Sequence, residues 1–161
     1  MKYLVISDSH GYHENIRKVM EQEGPVEAVF HCGDLECRVG EMERITKCNV
    51  IAVSGNNDYY YDELMPKRLI TRQGRRILMT HGHMQSVHFG TSRLAYLGEE
   101  NQADVVMFGH THVPCLMEER GITLINPGSI SRPRQSNRKP TYAIMEISED
   151  GVINFTMKEL G

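Results

Sequence analysis

Five apolar runs in this chain are each cut short by a brief polar cluster carrying Asp, His or Asn, and this repeated pairing constrains the fold more than any other feature. The first run, Tyr3-Leu4-Val5-Ile6, is continuously apolar, as a strand covered on both faces must be. It ends in Ser7-Asp8-Ser9-His10-Gly11. A helical pattern follows from about His13 to Glu23, with Ile16, Val19 and Met20 on one face. Gly24-Pro25 stops it. Val26–Phe30 reads as a second strand running into His31-Cys32-Gly33-Asp34. A short helix over Gly40–Thr46 leads to the strand Asn49–Val53, which ends in Ser54-Gly55-Asn56-Asn57-Asp58. This β-loop-α rhythm is that of parallel α/β architecture, whose ligands gather beyond the carboxyl ends of the strands.

The second half changes rhythm. Lys67–Arg72 and Arg76–Thr80 flank Gln73-Gly74-Arg75 and read as a hairpin delivering Thr80-His81-Gly82-His83. A helix over Thr91–Asn101, with Leu94, Ala95 and Leu97 as core positions, precedes the strand Asp104–Phe108 and the cluster Gly109-His110-Thr111-His112. Strands are expected at Pro114–Glu118, Ile122–Asn126, Thr141–Ile147 and Val152–Met157. Between them Pro127–Pro140, rich in Ser, Arg and Pro, is a long loop of the kind compact folds reserve for function.

No repeat, low-complexity tract or linker divides the chain. With 161 residues, 40% of them hydrophobic, residues 1–161 are expected to form a single domain. The net charge of −3 provides no global attraction to nucleic acid or anionic lipid, so a polyanion must be drawn by a local feature. No apolar run approaches the roughly 18 residues of a membrane span. The first residues do not make a signal peptide, so a cytoplasmic protein is expected. Cys32, Cys37, Cys48 and Cys115 follow no CxxC spacing and read as free thiols. A homo-oligomer is compatible with this composition.

The strand ends supply Asp8 and His10, Asp34, Asn56, His81, then His110 and His112. Oxygen and imidazole donors without thiolate suit Mn²⁺, Fe²⁺, Ni²⁺, Co²⁺ or Zn²⁺ in a catalytic site better than structural zinc. Seven side chains exceed the needs of one ion and fit two, if one carboxylate bridges. Any one of these short motifs alone is weak, and a single His after a strand is usually an ordinary polar residue. Five in order, each after a strand, make a metal centre.

The succession Asp8-Ser9-His10, Gly33-Asp34, Gly55-Asn56-Asn57-Asp58, His81-Gly82-His83 and Gly109-His110-Thr111-His112 resembles the calcineurin-like metallophosphoesterase superfamily, and within it the small phosphodiesterases of the YfcE type. Asn126-Pro127-Gly128-Ser129, with Arg132-Pro133-Arg134 behind it, extends the resemblance. It implies a four-layer αββα sandwich with two mixed β-sheets face to face. It further implies that Asp8, His10 and His112 bind one divalent ion, Asn56, His81 and His110 a second, and that Asp34 bridges them. Two divalent cations, Mn²⁺ by preference, would leave about two positive charges after the two carboxylates. That makes an anion trap, in which an acidified bridging water attacks a small phosphate diester in line.

The chain departs from many relatives at Asn57, where they carry His. Asn donates a hydrogen bond but cannot deliver a proton. Asn57 and His83 are the candidate catalytic residues beside the metals, and Arg132 and Arg134 the candidate phosphate clamp. Asp58 is expected to orient a ligand or cap its loop. His13, His31 and His88 read as structural or solvated. A nucleic-acid surface is not favoured, because no aromatic residues interleave the basic ones of the loop. A phosphomonoesterase, or a non-catalytic scaffold of the same fold such as the retromer complex contains, is the competing reading.

Overall fold

The computed structural model describes residues 1–161. Two five-stranded mixed sheets lie face to face, and helices cover their outer faces. The first sheet is ordered β10-β9-β1-β2-β3, with β1 at Lys2–Ile6, β2 at Ala28–His31, β3 at Asn49–Ala52, β9 at Thr141–Ile147 and β10 at Ile153–Glu159. The second is ordered β4-β5-β6-β8-β7, with β4 at Lys67–Arg72, β5 at Arg75–Thr80, β6 at Val105–Met107, β7 at Cys115–Glu119 and β8 at Ile122–Asn126. The expected sandwich is therefore present.

Alternation along the strands builds three apolar layers. Tyr3 and Val5 of β1 point between the sheets, where they meet Phe30, Ile51, Ile77, Met79, Val105 and Ile125. Leu4 and Ile6, one residue out of phase, point the other way with Ile16, Val19 and Met42 of the covering helices α1 (Glu14–Glu23) and α2 (Val39–Thr46). This is why β1 has no polar face. Across the molecule Leu78, Val106 and Leu124 pack beneath α3 (Ser92–Glu100) through Leu94. Leu97 only partly joins that layer, and Gly98 is buried in its place. A Cβ at Gly98 would come within 2.8 Å of Ile122 and 2.9 Å of Val106, so a glycine lets the helix sit close to the sheet.

The β4–β5 hairpin turns on Gln73 and Gly74, both at positive φ (48° and 75°), so Arg75 is already paired with Arg72 as strand. A two-residue turn of that hand matches the twist of the strands. The other strand and helix boundaries match the expectations or differ from them by one or two residues.

Register places the polar clusters. Ile6 pairs with His31, and His31 with Ala52, in parallel. In the second sheet Met79 pairs with Met107, and Met107 with Ile125. Asp8, Asp34 and Gly55 thus leave one sheet at a common edge, and His81 and His110 leave the other.

Candidate metal centre

Left-handed backbone marks the clusters. Asp8 (φ 54°), His10 (49°), Asp34 (56°), His110 (71°) and His112 (59°) all occupy a region that L residues enter at a cost. The surroundings hold them there. The Asp8 N–H donates to Gly33 O at 3.0 Å and the His10 N–H to Asp34 O at 2.9 Å. The hydroxyls of Ser129 and Ser131 donate to Asp8 O at 2.8 and 2.9 Å. Asn126 spans the His110 loop, donating to Gly109 O (3.0 Å) and Thr111 Oγ1 (2.9 Å), and accepts from the Gly128 N–H. The Asn126–Ser129 motif therefore works as a clamp on two ligand loops.

Five of the seven candidate ligands converge. Asp8, His10 and His112 form one group of mutually close donor atoms, and Asp8, Asp34 and His81 another. Asp8 Oδ1 lies 3.3 Å from His112 Nε2, 3.6 Å from His81 Nε2 and 3.9 Å from His10 Nε2. Asp34 Oδ2 lies 3.4 Å from His81 Nε2 and 3.7 Å from His10 Nε2. His110 is in neither group. Its ring sits 5.1 Å from that of His81, and its N–H donates to Asp8 Oδ2 at 3.1 Å. Asn56 is exposed, whereas Asn57 turns inward: its amide donates to Asp34 Oδ2 and its N–H to Asp34 Oδ1, both at 2.9 Å.

The outer ring nitrogens decide what the inner ones can do. Nδ1 of His81 faces Cys32 O at 2.7 Å, Nδ1 of His112 faces Arg132 O at 2.7 Å, and Nδ1 of His10 faces Glu36 Oε2 at 2.6 Å. Each partner accepts only, so each Nδ1 carries a proton and each Nε2 faces inward, where it can offer a lone pair to a cation. His10 Nε2 and His112 Nε2 then oppose each other at 3.2 Å as two acceptors. His81 Nε2 and Asp8 Oδ1 are buried without any hydrogen-bond partner. Such an arrangement is unfavourable unless cations fill it, and so the residues fit divalent metal ions.

Electrostatics agree. Burial pushes the Asp8 carboxyl up, but His112, His81 and Ser7 outweigh it and hold the group below its ordinary value. Asp34 is likewise pushed up by burial and pulled well below the usual range by His81 and Asn57. Burial lowers His81, yet Asp34 and Asp8 raise it on balance. The 3.4 Å separation from Asp34 is an electrostatic pairing and not a hydrogen bond, and a cation at that point would take the proton's place. Burial and then His81 push His110 down to about 4, so it is neutral near pH 7.

Of the remaining candidates, His83 is partly buried, 5.4 Å ring to ring from His81, with Nδ1 unpartnered. Arg132 and Arg134 are exposed and take part in no ion pair. The Arg134 N–H donates to His112 O at 3.0 Å. Asp58 is the loop cap expected of it, and four backbone N–H groups converge on its carboxylate. Sequence reasoning missed Glu36, which orients His10, and the tilted contact of the His88 ring with that of His110 at 4.6 Å. Neither has a spacing signal, since each depends on how two distant loops meet. A groove of about 780 Å³ between α1 and α2 contains none of these residues.

A sandwich of two mixed sheets with His and Asp donors converging at their carboxyl edges defines a metal-dependent hydrolase of the phosphoesterase class. The chain belongs to the calcineurin-like phosphoesterase superfamily, whose domain profile matches residues 1–150. It is 38% identical over 156 residues to the probable metallophosphoesterase YsnB of Bacillus subtilis, covering 93% of this chain and 86% of that one. It is 32% identical to phosphodiesterase YfcE of Escherichia coli, covering 85% and 83%. A crystal structure of a predicted phosphoesterase from Streptococcus pneumoniae superposes with a TM-score of 0.78 at 30% identity, over 99% of this chain and 97% of that one. The protein is a metal-dependent phosphoesterase.

Proposed function

We propose that this protein is a dinuclear phosphodiesterase acting on small phosphate diesters. The observation that carries the reading is the set of buried, inward-facing ligand atoms: Asp8 Oδ1 and His81 Nε2, which have no hydrogen-bond partner, and the Nε2 atoms of His10 and His112, which oppose each other at 3.2 Å. Asp8, His10 and His112 would hold one ion, and His81 with Asn56 and His110 the other. Asp34 would be shared. Bound there, two divalent ions, Mn²⁺ by preference, supply Lewis-acid charge and an acidified water for in-line attack.

The chain's own residues do the rest. Glu36, Cys32 O and Arg132 O fix the three imidazoles, and Asn57 holds both oxygens of Asp34. Arg132 and Arg134 supply positive charge beside the loop of His112 for the ester oxygens. His83, beside His81 and His110, would face the phosphoryl group. Asn57 has no proton to give, and its amide is already committed to Asp34. The departing oxygen would therefore leave largely unprotonated, or take its proton from water, which favours diesters with acidic leaving groups.

The test is kcat/KM of Mn²⁺-loaded protein on aryl and alkyl diesters and on the matching monoesters. Diesters should be preferred, with a steep dependence on leaving-group pKa that Asn57→His flattens. A positioned acid contributes roughly 10²–10⁴-fold at most. A shallow slope in the wild type would show that another group delivers the proton, and a preference for monoesters would return the phosphomonoesterase reading.

A further inference from the structure

Aromatic side chains usually bury their large apolar faces, yet four of them here stand in water on the loops of the metal centre. Tyr12 is 60% exposed, Tyr59 71%, Tyr60 76% and Phe89 95%. Tyr12 follows His10 by two residues, and Tyr59 follows Asn57 by two. Phe89 adjoins His88, whose ring lies 4.6 Å from that of His110. Among the four, Tyr12 has a partner of defined chemistry: the Arg132 guanidinium sits over its ring, 5.4 Å from the centroid.

Both members of this pair are anchored. The Tyr12 N–H donates to Ser9 O at 2.9 Å. The Arg132 N–H donates to Ser129 Oγ at 2.7 Å, and Arg132 O accepts from His112 Nδ1 at 2.7 Å. The main chain of each is thus tied to the loop of a candidate ligand, His10 on one side and His112 on the other. The guanidinium is in no ion pair, and the exposed ring retains free surface for a second planar group. A guanidinium and a phenol ring together favour an aromatic group joined to an anion: the ring stacks, and the cation serves the phosphate oxygens.

We propose that Tyr12 and Arg132 form a stacking platform for the aromatic group of the substrate, which makes aryl and nucleoside phosphodiesters the preferred class. This rests on the phosphodiesterase reading above. The platform binds the ester group that stays on phosphorus and leaves the chemistry to the metal centre.

Two measurements test it. The chain has no tryptophan, so Tyr12→Trp introduces the sole indole. Thymidine 5′-monophosphate should quench its emission saturably in metal-loaded protein, while methyl phosphate should not. In turnover, thymidine 5′-(p-nitrophenyl phosphate) and methyl p-nitrophenyl phosphate share one leaving group and differ only in the retained ester. Tyr12→Ala should lower the ratio of their kcat/KM values by about tenfold, the order that base–aromatic stacking supplies. Tyr12→Phe should keep the ratio. An indole blind to the nucleotide, or a ratio unchanged in Tyr12→Ala, overturns the platform and leaves the exposed rings to a protein partner. If neither ester is turned over, the phosphodiesterase reading fails, and the fluorescence titration still decides the platform.

Discussion

At the residue scale the site is a problem of buried ligand atoms that lack hydrogen-bond donors. Three imidazoles direct Nδ1 outward to Cys32 O, Arg132 O and Glu36, and turn Nε2 toward two carboxylates. Only cations reconcile that set, so removing one negative charge has a defined effect. Asp34→Asn should keep the fold and lose both activity and at least one metal, and elemental analysis showing two metals per chain in fully active variant would falsify the shared role of Asp34. His31 obeys the opposite rule. It is buried between Ser9 Oγ, 2.9 Å from Nε2, and the Gly33 N–H, which donates to Nδ1 at 3.2 Å. Burial pushes its pKa from 6.5 down to about 3. Between those pH values the unfolded chain takes up a proton that the folded one refuses. Its contribution to stability is therefore complete above about pH 6.5 and is lost as pH falls toward 3, by about 1.4 kcal/mol per pH unit. Urea titrations of metal-free protein across this range should show a shallower decline for His31→Gln than for wild type. Parallel declines would mean that His31 is not what acid attacks.

At the element scale the loops hold one another. The Asp58 carboxylate accepts from the N–H groups of Asp34 (2.7 Å), Glu36 (2.8 Å), Gly55 (2.7 Å) and Leu35 (3.3 Å), which joins the loop after β3 to the loop after β2. Gly55 shows how close the two run, because a Cβ there would fall 2.7 Å from Asp34 Cγ. Asp58→Ala would strand buried donors at roughly 1–3 kcal/mol each. The expected loss is about 3 kcal/mol or more in urea unfolding, together with weaker metal retention. A variant within about 0.5 kcal/mol of wild type and with full metal content would show that the loops do not depend on this cap. The strands and helices around these loops were legible because their periods are plain: Tyr3–Ile6 is apolar on both faces, and Ile16 and Val19 recur at helical spacing. The two 3₁₀ turns at His83–Gln85 and Val87–Phe89 were not. They have no apolar period, and Gly82 and Ser86 set them through left-handed backbone.

At the scale of the whole molecule, stability and the metal centre are coupled, because the site joins the carboxyl edges of both sheets. Any ion that binds the folded chain alone stabilises it by mass action, about 2.7 kcal/mol at a hundredfold excess over Kd. Saturating Mn²⁺ or Zn²⁺ should therefore raise the melting temperature by roughly 5–10 °C, and chelation should reverse the rise. Asp8→Asn, which alters a residue common to both donor groups, should abolish most of it. A melting curve indifferent to every divalent ion would sink the metal centre outright. The sequence by itself determined the strands, the helices and the family, because these rest on local apolar period and on the order of short motifs. It also determined which Asp and His residues end the strands. Only the tertiary structure decided that Asn57, and not Asn56, rests on Asp34, that Glu36 orients His10, and that Arg132 lies on Tyr12. Those contacts join loops from different strands, and their partners are fixed by the register and packing of two sheets, which no local spacing encodes.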